Sequence, residues 1–130
     1  MLMKRILIVF VLAGVMLAFG GCRPSLIGSD SAVYSMGTLY AVTNQDLTLV
    51  YGAAQKALAD LEIEVTEKAK DAFYAKVVGT GADDKMITIE IKPRKDKLTD
   101  FRIRVGPPGN RERSRVIYER IQQNLKSGSK

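Results

Sequence analysis

The feature that most constrains this chain is a strict two-residue alternation in its second half. Ile87, Ile89 and Ile91 alternate with Thr88, Glu90 and Lys92, and Phe101, Ile103 and Val105 alternate with Asp100, Arg102 and Arg104. Successive side chains of a strand point to opposite faces, so each segment predicts a strand with one apolar and one wet face. Pro93 to Lys97 between them reads as a hairpin loop. The same period is present upstream. Ile63 and Val65 alternate with Glu62, Glu64 and Thr66, and Phe73, Ala75 and Val77 alternate with Tyr74, Lys76 and Val78. Lys70-Asp71 turns the chain between them, and Gly79 to Asp84 reads as a loop by its Gly and Asp content. A sheet with a single apolar face needs a partner layer on that face only.

Two helical stripes supply that layer. Leu47, Val50, Tyr51, Ala54, Leu58 and Leu61 recur at helical spacing, which predicts a helix over 46–61 with Asn44 or Asp46 as its cap. Gly52 weakens it locally. Gly106-Pro107-Pro108-Gly109 ends the sheet, and Asn110 can cap a last helix over 111–125 bearing Val116, Ile117, Ile121 and Leu125. Ala32 to Val42 reads as one first strand with Gly37 as a bulge. The expected order is strand, helix, four strands in meander, helix. Short connections imply antiparallel neighbours. The expected fold is α+β: a two-layer sandwich of an antiparallel sheet of about five strands with both helices on one face. Its expected bounds are 32–126, with 127–130 as a flexible tail.

The first 22 residues follow a different logic. Lys4 and Arg5 precede an apolar run from Ile6 to Phe19, and Gly20, Gly21 and Cys22 follow. A basic start, an apolar core and a small-residue exit are the parts of a secretory signal, and the run is short for a bilayer span. Ala18-Phe19-Gly20-Gly21-Cys22 resembles the bacterial lipobox, with Phe19 where Leu is usual. The expectation is a cleaved signal peptide over 1–21 and lipidation at Cys22. Two or three acyl chains suffice for stable anchoring. Residues 22–31 then form a tether rich in Pro, Gly and Ser, spanning at most about 30 Å when extended. Arg23 after the Cys, in place of a retaining Asp, favours the periplasmic face of the outer membrane in a two-membrane bacterium.

The segments IEVTEKAKDAFYAKV, KMITIEIKP and FRIRVGPPGNRERSRVIYERI, together with Leu47 to Leu61, resemble a family of small bacterial lipoproteins of unknown function, DUF3568. The "TEKAKDA" turn and the "IRVG" strand running into a Gly-containing loop carry most of the likeness. The resemblance implies the same architecture and an envelope location. It brings no activity and no catalytic residues.

Charge is unevenly placed. Residues 22–84 hold 5 basic and 9 acidic groups, whereas residues 85–130 hold 13 basic and 5 acidic, a net charge of +8. Such asymmetry can mark an anionic partner, here an anionic lipid, an acidic wall polymer or an envelope protein, set against the plainer alternative of a solvated basic face, and an exported chain does not meet nucleic acid. Arg111, Arg113 and Arg115 crowd the start of the last helix, where backbone N–H groups, the helix dipole and guanidinium forks could hold an anion together. They are the candidate anion contacts, set against simple pairing with Glu112 and Glu119. Arg102 and Arg104 are expected to pair across strands with Glu90.

The chemical inventory argues against an enzyme. The 130 residues include no His, no Trp and one Cys. His is the commonest general base and metal ligand, and a lipidated Cys22 leaves no thiol. No cofactor and no metal site is expected. Asp83-Asp84 is an adjacent carboxylate pair, but it sits in a Gly loop and reads as a solvated hairpin tip. Gly79-x-Gly81 lacks the spacing of a phosphate loop. Ser114 has no His to activate it. The expected function is therefore a non-enzymatic, membrane-anchored structural or interaction module. The alternative is a binding module for a small apolar ligand, in a cavity lined by Leu58, Phe73, Ile87 and Ile89.

Overall fold

Alternating strands and two amphipathic stripes assemble as a sheet covered on one side. The computed structural model describes residues 31–128, so the expected signal peptide and Cys22 lie outside the described residues. The elements are β1 (Ser31–Ser35), β2 (Thr38–Thr43), α1 (Leu47–Asp60), β3 (Glu64–Lys70), β4 (Ala75–Thr80), β5 (Met86–Pro93), β6 (Thr99–Val105) and α2 (Arg111–Gly128). The six strands form one sheet in the order β1-β2-β6-β5-β4-β3, and every pairing is antiparallel. The four-strand meander is as the alternation predicts, and the β1–β2 hairpin is added to it beside β6.

Three expected element bounds change. The stretch read as one strand with a bulge is a hairpin. Met36 and Gly37 both have positive φ, 51° and 84°, the geometry of a two-residue type I′ turn. Met at the first turn position is not a turn signal, so the sequence concealed it. Second, Gly79 belongs to β4 and not to a loop. A Cβ there would lie 2.8 Å from Ile63 Cγ2 and 3.2 Å from Leu58 Cδ1, so the missing side chain lets the end of α1 sit on the sheet. Third, α2 continues to Gly128, so Ser127 and Gly128 are helical rather than tail, and Ser31 belongs to β1 rather than to the tether.

The core lies between the sheet and the helices. Register places Leu39, Ile103 and Ile89 side by side, with Val77 next in line on β4. The parallel row Ala41, Phe101, Ile91 and Ala75 is likewise buried. From α1, Leu47, Val50, Ala53, Ala54, Ala57 and Leu58 cover this face, and from α2, Ile117, Ile121 and Leu125 do so. Ala53 and Ala57 are small, which lets α2 approach α1 closely, and Asn124 Nδ2 donates to Ala53 O at 3.3 Å. Asp46 is the cap of α1, accepting from Leu49 N at 2.8 Å, and Asn110 caps α2 by accepting from Arg113 N at 3.0 Å. Every residue of this core cluster falls between Leu39 and Leu125, so the domain supplies its own core. Among the described residues no helix covers the opposite face of the sheet, which carries Tyr40, Thr88, Glu90, Lys92, Arg102 and Arg104.

Phe73 departs from the expected alternation. It is 81 % exposed, in the turn between β3 and β4, where Asp71 Oδ1 accepts its N–H at 2.7 Å. The inward positions of β4 begin at Ala75. Leu58, Ile87 and Ile89 are buried in the continuous core while Phe73 stands outside it, so these four residues do not line one cavity.

Candidate functional site

The connections divide the molecule into two ends. One end carries the β1–β2 turn, the β4–β5 turn at 81–85, the 106–110 loop and the start of α2. The other carries the start of β1, the β3–β4 turn, the β5–β6 turn and the end of α2. The strand ends follow from the antiparallel pairings, and the end of α2 from its packing along α1.

The three candidate arginines lie at the first end, and they diverge. Residues 111 and 115 are one turn apart on the helix, whereas 113 lies on nearly the opposite side. Arg113 is half-buried against the β4–β5 turn, and its Nη1 donates to Asp83 Oδ2 at 2.7 Å. A Cβ on Gly81 would approach Arg113 Nη2 to 2.8 Å, so that glycine makes room for the guanidinium. Arg111 lies over the ring of Tyr34, 6.0 Å from its centroid. Arg115 reaches along the helix to Glu119, Nε to Oε1 at 3.5 Å. The three therefore do not close around a common point.

Asp83 has an electrostatic setting of its own. Desolvation pushes its pKa up, but the Lys85 N–H and the Arg113 guanidinium outweigh this and hold the carboxyl below its ordinary range. Asp83 and Asp84 do not act as a pair. Asp83 belongs to the ion pair with Arg113, and Asp84 takes the turn's positive φ of 61°.

Other sequence candidates resolve as follows. Arg102 Nη2 meets Glu90 Oε2 at 2.5 Å, from directly opposite positions of β6 and β5, as cross-strand pairing predicts. Arg104 does not join them. It faces Thr88 and donates to Pro107 O at 2.5 Å, so it fastens the 106–110 loop instead. Ser114 is fully buried on the inner side of α2, and its Oγ has no hydrogen-bond partner among the described residues. Among the described residues, no group of three or more His, Cys, Asp or Glu converges as a metal site would require, and no helix is long and apolar enough to cross a membrane.

A groove of about 300 Å³ runs between the end of α1 and the first turns of α2, beside Arg113. Leu61, Ile63, Val116 and Ile117 form its apolar wall, and Glu62 and Arg113 its polar rim. Half-buried Leu61 and exposed Val116 were both expected in the core stripes. Leu61 lies just past the end of α1, and Val116 sits at the margin because the buried stripe of α2 runs through Ser114, Ile117, Ile121 and Leu125.

The model of a family described as "Protein of unknown function (DUF3568)" matches residues 5–124. That span takes in all six strands, α1 and most of α2. No match is found among curated proteins. With nearly the whole chain matched, this protein belongs to the DUF3568 family of proteins of unknown function.

Proposed function

We propose that this chain is a membrane-anchored lipoprotein of the bacterial cell envelope, and that its α+β domain is a non-enzymatic structural or interaction module. One observation carries the reading: Lys4-Arg5, the apolar run Ile6 to Phe19, Gly20-Gly21 and the sole Cys, Cys22, follow one another in the order that export and lipidation need. The first strand begins at Ser31, nine residues beyond Cys22, so an acylated Cys22 holds the domain within about 30 Å of the bilayer. Buried Ser114 and the absence of His from the sequence support a module without catalysis.

The basic C-terminal part meets an anionic envelope component in this reading. Because Arg111, Arg113 and Arg115 diverge, the attraction draws on the charge of the whole segment rather than on a closed anion site. The anchor is tested by palmitate labelling in cells. Cys22→Ser abolishes incorporation and leaves the precursor at its full length. Undiminished labelling of that variant overturns the proposal.

A further inference from the structure

We infer that the end of the domain formed by the β3–β4 and β5–β6 turns docks on an anionic phospholipid surface, with Phe73 entering the interface and Lys70, Lys95 and Lys97 facing the headgroups. The inference rests on the lipid-anchor reading for its setting, and three separate observations carry it. The first is Phe73, the most exposed aromatic among the described residues, at a turn tip whose backbone is fixed by the hydrogen bond from the Phe73 N–H to Asp71 Oδ1. An aromatic ring presented to water at a tip has no core to serve, and an interfacial membrane layer is a favourable place for it.

The second observation is charge. The β3–β4 and β5–β6 hairpins are neighbours through the β4–β5 pairing, so their tips stand side by side, about 10 Å apart at two strand spacings. Lys70, Lys95 and Lys97 on these tips are exposed and have no ion pair among the described residues. The described carboxylates of this end each have a partner of their own. Asp71 accepts from Phe73 N, Asp96 and Asp100 both face Arg94 at 3.0 and 3.5 Å, and Asp46 caps α1. Lys92 adds a further cation above the Tyr74 ring, 5.7 Å from its centroid. The result is a cationic rim around one exposed ring, the composition that binds anionic bilayers.

The third is where the chain enters. Ser31 opposes Val42 at this same end of the sheet, so the tether from Cys22 arrives beside the docking tips and not at the arginine end. β1 lies five strand spacings from β3, about 24 Å, within the reach of nine residues. The anchor and the tips can therefore meet one bilayer together, and a weak contact acts at high local concentration.

The chain has no Trp, which permits a single-site probe. Phe73→Trp in the full lipidated protein is reconstituted into vesicles of phosphatidylglycerol with phosphatidylcholine, or of phosphatidylcholine alone, with brominated acyl chains. Emission shifts to the blue and is quenched in the anionic vesicles, while Met36→Trp, at the opposite end and 94 % exposed, stays unquenched. In parallel, residues 23–130 without the anchor are sedimented with the same vesicles. Replacing Lys70, Lys95 and Lys97 by Gln lowers affinity about a hundredfold, roughly fivefold per lysine. Arg111→Gln with Arg115→Gln changes it less than twofold. Unquenched Phe73→Trp in anionic vesicles, or a loss confined to the arginine variant, overturns the inference. Absence of palmitate on Cys22 would sink the anchor reading instead, and the unanchored sedimentation would still decide the docking end.

Discussion

Two glycines show how tightly single residues constrain this fold. Gly37, in the β1–β2 turn, lies against Gly109, in the loop before α2. A Cβ on Gly109 would sit 2.3 Å from Gly37 O and 2.5 Å from its Cα, and one on Gly37 would sit 2.8 Å from Pro108 O. These obstructions are backbone atoms that cannot swing aside, and both residues hold positive φ, 84° and 82°. Gly109→Ala therefore incurs overpacking and left-handed strain together, about 3 kcal/mol in all, and thermal unfolding measures it as a drop of many degrees. The Arg113–Asp83 pair gives the second prediction at this scale. A carboxyl held below its ordinary 3.8 in the folded state is charged there at pH values where the unfolded chain has begun to take up protons. Its contribution is complete above that ordinary value and is lost as pH falls through the lower, folded one. An NMR titration of the Asp83 carboxyl has its midpoint below 3.8, and Arg113→Gln moves that midpoint up. An unmoved midpoint in Arg113→Gln would show that the guanidinium does not set the shift.

At the scale of elements, β5 is the keystone of the sheet, since its inward row Ile87, Ile89 and Ile91 is fully buried between β4 and β6 and under the helices. Ile89→Asp places a charge there with no partner, a penalty of several kcal/mol that matches the whole stability of a domain this small. Circular dichroism on heating then shows no cooperative transition, whereas a near-wild-type melt would place Ile89 on the wrong face. Legibility followed physical cause here. The period-two rows of β5 and β6 and the stripe of α1 were readable because burial dictates them. The β1–β2 turn was not, because Met36 adopts a conformation that Asn or Gly usually signals. Phe73 was misplaced because a turn broke the alternation one step before Ala75, and periodicity alone does not mark where a strand starts. The arginine cluster was legible as a composition but not as a site. Residues 111, 113 and 115 are close in sequence, yet helical geometry sends the middle one to Asp83 and the others elsewhere. The lysines of the two turns left no sequence signal as a group, since only strand pairing brings residue 70 beside residues 95 and 97.

Over the described residues the domain is a sheet with both helices on one face and none on the other, and its edges are unlike. β3, at one edge, is almost entirely exposed, carries Glu64, Glu67, Lys68 and Lys70, and is bulged between Val65 and Glu67, features that discourage pairing with another sheet. β1, at the other edge, carries no charged residue and is the strand through which the chain enters the domain. That placement has a mechanical consequence. A pull applied at Ser31 along the strand axis, with the rest of the domain held, loads the β1–β2 ladder in shear. Its backbone bonds over Ser31–Ser35 then bear the tension together rather than opening one at a time. The Gly37–Gly109 contact lies at the far end of that ladder, where the hairpin would have to start sliding. The entry strand thus resists drag directed along the sheet and peels readily under force directed away from its edge.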